Sequence, residues 1–74
     1  MPLGDVETFH RDGEWHNRIE GEEGELGPHP TRKEAATVGR LLARERNVEH
    51  VITNTDGTIA ERNSYGHDSR ETPG

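Results

Sequence analysis

One segment of this chain sustains a helical period, and its start is written in the sequence. Thr31 followed by Glu34 has the spacing of a capping box: the Thr31 hydroxyl accepts from the N–H of Glu34, and the Glu34 carboxylate can return to the N–H of Thr31. Pro30 cannot extend a helix backwards, so the Pro30-Thr31-Arg32-Lys33-Glu34 stretch marks a beginning. From there a helix is expected to Arg46. Ala35, Val38 and Leu42 form its apolar stripe, with Leu41 beside it. Arg32, Lys33, Arg40 and Arg44 fall off that stripe and give the helix a basic outer side. Gly39 costs about 1 kcal/mol against Ala in a helix interior. Its presence predicts that a sheet comes close to the helix backbone there. Arg44 and Arg46 suit the negative end of the helix dipole, and Asn47 suits a left-handed cap.

Ahead of the helix, Asp12-Gly13 is a two-residue hairpin turn signal. It sets Arg11 opposite Glu14, His10 opposite Trp15, Phe9 opposite His16, Glu7 opposite Arg18 and Val6 opposite Ile19. Two of these pairs join opposite charges, which supports the register. Alternation then gives two unlike faces. Val6, Thr8, His10, Trp15, Asn17 and Ile19 share one, which is assigned to the helix. Phe9, His16 and the charged pairs share the other. The Gly- and Glu-rich stretch from Gly21 to Pro30 reads as a polar loop with Leu26 as its anchor.

After the helix, Val48 to Thr53 reads as a strand, Asn54 to Gly57 as a turn and Thr58 to Asn63 as a return strand. The preferred register pairs Ile52 with Ile59 and Glu49 with Arg62. The alternative, a tight Asp56-Gly57 turn, pairs Ile52 with Glu61. The expected order is β-β-α-β-β, an α+β fold with one helix packed on one face of a small antiparallel sheet. Its expected core is Val6, Trp15, Ile19, Ala35, Val38, Leu42, Val51, Ile52, Ile59 and Tyr65. A flexible start over residues 1–4, one domain over 5–68 and a disordered tail over 69–74 complete the organisation.

Composition limits what such a domain can do. Only twelve of the 74 residues are Leu, Ile, Val or Phe. That is below the roughly 20% under which disorder becomes a serious alternative. A chain this short buries only about 60% of its unfolded surface, so added burial by self-association is expected. With no cysteine there is neither a disulfide nor thiol chemistry. No apolar run approaches the roughly 18 residues of a membrane span. The Met1-Pro2-Leu3-Gly4-Asp5 start has neither a basic flank nor an apolar core, so a cytoplasmic setting is expected. The formal net charge of −6 argues against a general nucleic-acid binder.

The chain also carries a spaced set of residues: Trp15, Ile19-Glu20-Gly21, Thr31-Arg32-Lys33-Glu34-Ala35, Gly39-Arg40, Leu42-Ala43, Asp56-Gly57-Thr58-Ile59 and Arg62-Asn63-Ser64-Tyr65-Gly66-His67-Asp68. Their order resembles a family of small bacterial single-domain proteins classed as a domain of unknown function. The resemblance spans Val6 to Asp68. It implies a short α+β domain in a bacterium and carries no catalytic residue over to this chain.

The candidate chemistry is sparse. The five histidines, His10, His16, His29, His50 and His67, show no spacing that would converge three or four ligands on zinc, so no metal and no cofactor is expected. The acidic run Glu20, Glu22, Glu23 and Glu25 reads as a solvated loop, not a calcium site. Ser64 to Asp68 holds acid–base residue types, but Tyr65 reads as a cap on the core. The expectation is therefore a non-enzymatic interaction module, self-associating as a homodimer or meeting an unidentified protein through an open sheet face or edge. Phe9, His16 and Arg18 are its candidate contact residues. The alternative is a nucleic-acid-associated accessory protein that uses Arg32, Lys33, Arg40 and Arg44.

Overall fold

The computed structural model describes residues 3–65 of the chain. The fold is α+β, with six elements: β1 (Val6–Arg11), β2 (Glu14–Ile19), β3 (Leu26–His29), α1 (Arg32–Arg46), β4 (Glu49–Thr53) and β5 (Ile59–Ser64). The five strands form one sheet in the order β3-β2-β1-β4-β5. Residues 66–68 of the expected domain and the expected 69–74 tail lie outside the described residues, as do residues 1–2. Gly4 is drawn into the hairpin, its N–H donating to the Glu20 carbonyl at 2.9 Å.

The local signals around the helix translate directly. Thr31 is the N-cap, extended in backbone, and its hydroxyl accepts from the N–H of Glu34 at 3.1 Å. Asn47 closes the helix in the left-handed region, φ 57° and ψ 51°. The first hairpin has the six-pair register that the Asp12-Gly13 turn sets, from Val6–Ile19 to Arg11–Glu14. Asp12 and Gly13 both have positive φ, 55° and 80°, as a type I′ turn requires.

Three features depart from the sequence-based expectation. First, Leu26–His29 is a strand, antiparallel to β2 with an irregular register. Gly27 and Pro28 hide it from any propensity argument. An edge strand tolerates proline because one row of its N–H groups needs no partner. Second, the sheet is mixed rather than antiparallel, because β1 and β4 run parallel. The helix leads from β3, which runs in the same direction as β1, across β2 and β1 to β4, and this crossover sets β4 parallel to β1. Third, the second hairpin avoids the Ile52–Ile59 and Glu49–Arg62 pairing. Ile52 lies opposite Glu61, Val51 opposite Arg62 and Thr53 opposite Ile59, with a bulge between. The connection is held by Asn54 N–H to Thr58 carbonyl (2.7 Å) and Gly57 N–H to Asn54 carbonyl (3.0 Å). The Asp56 carboxylate adds bonds from the Thr58 N–H (3.0 Å) and hydroxyl (2.7 Å). These bonds hold the Asp56 carboxyl below the usual carboxylate range.

The core is smaller than the apolar residues alone suggest. Val6, Ile19 and Ala43 form its centre, with Leu42, Val48 and Tyr65 packed partly against it. The helix meets the sheet through a stripe of small residues, Ala35, Ala36, Gly39 and Ala43. Val38 and Leu42 flank that stripe half-buried, which corrects the expected Ala35–Val38–Leu42 face. Val51 and Ile52 are buried as expected, whereas Trp15 and Tyr65 are only half-buried. Ile59 is 52% exposed and outside the core. The reason is position: α1 packs on β1, β2, β3 and β4 and does not reach β5.

Candidate functional site

The close approach that Gly39 predicts is real, and what approaches is polar. An ideal Cβ on Gly39 would lie 2.6 Å from Asn17 Oδ1, Thr8 Oγ1 and His50 Nε2 alike. These three side chains come from β2, β1 and β4, adjacent strands. With His29 on β3 they form a chain of contacts across four strands, underneath the helix. The Thr8 hydroxyl lies 2.5 Å from Asn17 Oδ1 and 2.7 Å from His50 Nε2. Asn17 Nδ2 donates to the Ala35 carbonyl of α1 at 2.9 Å and lies 3.3 Å from His29 Nε2. The Thr53 hydroxyl donates to the Thr8 carbonyl at 3.3 Å.

Burial makes this chain costly to disturb. Thr8 and Asn17 are 0% exposed and His50 is 1% exposed. Thr8, Asn17 and His50 each have a hydrogen-bond partner, as a low-dielectric interior demands. Burial, with the Arg40 charge adding to it, pushes the His50 imidazole below its ordinary value, against a smaller opposing pull from Glu61. A hydroxyl 2.7 Å from an imidazole has the spacing of an activated nucleophile. Here both residues are buried against α1 at Gly39. Among the described residues no group of three or more His, Asp or Glu converges on a point that would hold a metal ion.

The opposite face of the first hairpin carries Phe9, His16 and Arg18. Phe9 and His16 stack with ring centroids 5.5 Å apart. The Arg11 and Arg18 guanidinium carbons lie 5.6 and 5.3 Å from the Phe9 centroid, within cation–π range. Arg18 also pairs with Glu7 at 2.8 Å. Arg11 forms a two-pronged pair with Glu25, whose carboxyl it holds below the ordinary range. So on the helix-free face of the first hairpin, Phe9 is flanked by its own ion-paired neighbours. Phe9 is half-buried, and His16 has only 11% of its side chain exposed. His10 packs edge-on against Trp15 with centroids 5.0 Å apart.

Arg32, Lys33, Arg40 and Arg44 are all exposed. Of the described cations, Arg11, Arg18, Arg46 and Arg62 take ion pairs, and these four do not. Tyr65 leans on the core and donates its N–H to the Val48 carbonyl at 3.3 Å. His67 and Asp68 lie outside the described residues.

The polar chain is the feature that reading by motif passes over, although it has a signal. The hairpin register sets Thr8 opposite Asn17 on the helix-facing side, and a buried polar pair requires further partners. Gly39 marks where they meet the helix. His50 and His29 join only through long-range strand neighbours, for which the sequence has no local marker.

Comparison with known proteins gives one positive result. Residues 5–65 match the family model described as "Uncharacterized protein conserved in bacteria (DUF2188)". No curated protein and no solved structure matches the chain.

Proposed function

We propose that this chain, which belongs to the DUF2188 family of bacterial proteins, is a non-catalytic interaction module that self-associates by strand addition at its β5 edge. We read it as a cytoplasmic homodimer. One observation carries the reading: β5 ends the sheet, its residues 59–63 are exposed, and among the described residues α1 covers every strand except this one. An uncovered edge strand is a template for pairing with another chain. The other sheet edge, β3, is a poorer template, since Pro28 removes a donor from a strand of only four residues. The Phe9 face ranks behind β5 because its charges are already paired.

The hydrogen-bond phase gives a clean test. Tyr65 bonds to Val48 across the second hairpin, and hydrogen-bonded pairs alternate along an antiparallel ladder. Asn63 and Glu61 therefore face β4, and the Arg62 N–H faces away. Arg62→Pro removes an outward donor that β4 does not use. We expect self-association, read as solution mass by light scattering across a tenfold concentration range, to weaken by about tenfold or more, which is about 1.4 kcal/mol. The melting temperature should barely move. Glu61→Pro, one residue away, should instead unfold the hairpin. A wild-type chain that stays monomeric across the range sinks the reading.

A second reading has its own observation, the four helix cations that lack ion pairs. Lys33, Arg40 and Arg44 follow one flank of α1 and could meet the phosphates of a nucleic acid. Fluorescence anisotropy with a DNA duplex should then show log K falling with log salt at a slope of about −3 for three contacts. Arg40→Glu with Arg44→Glu should abolish the binding. Absence of binding at low salt removes this reading.

A further inference from the structure

We propose that His29 is a proton-operated latch: its neutral ring completes a directed hydrogen-bond chain that fastens α1 to the sheet, and its protonation releases that fastening. The inference stands on observations separate from the β5 reading.

The direction of the chain follows from counting hydrogens. The Ala35 carbonyl can only accept, so the Asn17 atom 2.9 Å away is its amide nitrogen. Asn17 Oδ1 then faces Thr8 and needs a donor, and the Thr8 hydroxyl supplies its single hydrogen across 2.5 Å. Thr8 has no hydrogen left for His50, so His50 Nε2 must carry one and donate it across 2.7 Å. At the other end, the second hydrogen of Asn17 Nδ2 points at His29 Nε2, 3.3 Å away. That nitrogen must offer a lone pair, so the neutral His29 ring carries its hydrogen on Nδ1. The donors therefore run one way, from His50 to Thr8 to Asn17, and on to His29 and Ala35 together.

The two ends answer a proton differently. Protonating His29 puts an N–H on Nε2, facing the Asn17 N–H, donor against donor. Turning the Asn17 amide over would relieve that contact. It would also aim Oδ1 at the Ala35 carbonyl, breaking the bond to the first turns of α1, and would reverse the Thr8 and His50 bonds. His29 is half-buried, so solvent can deliver the proton. His50 already donates from Nε2, and its protonation would only add charge to a buried site.

The surroundings of both rings are defined. Thr8 of β1 meets His50, Arg40 of α1 and Glu61 of β5 are the charges that act on it, and Asn63 of β5 lies in register with it. His29 meets Asn17, lies in register with Trp15 of β2, and takes no ion pair among the described residues. Glu14 and Arg18 of β2 alternate to the other face, and the nearby charges of α1, Arg32, Lys33 and Glu34, are exposed.

Nitrogen-15 NMR of the wild-type imidazoles tests the chain directly. At pH 7.5 we expect His29 as the Nδ1–H tautomer and His50 as the Nε2–H tautomer. Amide exchange over residues 35–39, corrected for the intrinsic pH effect, should speed up between pH 7.5 and 5.5. In His29→Gln the amide oxygen accepts from Asn17 but does not titrate. The wild-type acceleration should exceed that of this variant by about tenfold, about 1.4 kcal/mol, the scale of one lost hydrogen bond. Equal acceleration in the two proteins overturns the latch. So does a wild-type His29 found as the Nε2–H tautomer, a result that needs no variant to fold.

Discussion

Gly39→Ala is expected to lower the melting temperature by about 15 °C, even though alanine is the better helix former. The propensity gain is about 1 kcal/mol. Against it, the new methyl would sit 2.6 Å from three polar atoms at once, those of Thr8, Asn17 and His50. None of these is the free end of a flexible surface chain, since all three residues are almost fully buried. Overpacking of this kind costs about 1–3 kcal/mol, and each buried hydrogen bond that breaks in response costs about 1–3 kcal/mol more. A net loss of about 3 kcal/mol corresponds to roughly 12–24 °C for a domain of this size. Thermal unfolding by circular dichroism checks it, with Thr37→Ala as the control at an exposed helix position. If Gly39→Ala melts within a few degrees of wild type, the helix does not sit as close to the polar chain as described.

Asn17→Asp preserves shape and inverts chemistry, and is expected to cost about 3 kcal/mol or more at pH 7. The carboxylate would present an oxygen to the Ala35 carbonyl and leave His29 Nε2 without a donor. It would also put a charge at a site with 0% exposure. The pH dependence should change sign. In wild type the folded-state value of His50 is lowered, so the unfolded chain binds more protons below about 6.5, the ordinary histidine value. Stability from this group is then fully present above about pH 6.5 and is lost as pH falls. The buried carboxyl of the Asn17→Asp variant has the reverse sign. Its folded-state value is raised, the folded chain binds more protons, and stability grows as pH falls toward protonation. Melting curves between pH 6.5 and 5 should therefore converge for the two proteins. Parallel curves would mean that Asn17 is not held against Ala35.

Both expectations rest on a site that is only partly legible in the chain. The Thr8–Asn17 pair follows from the Asp12-Gly13 turn, because a two-residue turn fixes every opposed pair and alternation assigns the faces. Gly39 announces a close neighbour because glycine in a helix interior is costly without one. His29 is hidden in a segment that reads as a loop, since Gly27 and Pro28 oppose strand formation on their own and pairing with β2 overrides them. His50 reads equally well toward either face, because its direction is set by the parallel register with β1, a contact 42 residues distant for Thr8. Alternation places Phe9 on the helix-free face, but it does not show which side chains lie against the ring there. Whether a half-exposed aromatic is bare depends on where Arg11, Arg18 and Glu25 bring their side chains.

By itself the sequence determined what lies within a few residues of its own cause: the helix from its Thr31 cap to Asn47, the first hairpin with all six pairs, and the place where helix and sheet must nearly touch. Those features follow from backbone sterics, capping hydrogen bonds and side-chain alternation, which act over one or two turns. Only the tertiary structure decided the third strand, the parallel joining of β1 to β4, the register of β5 and its exposure, and the joining of four strands by one polar chain. Each of these depends on which distant segment supplies the missing hydrogen-bond partner, and the energy of that choice is spread over the whole sheet.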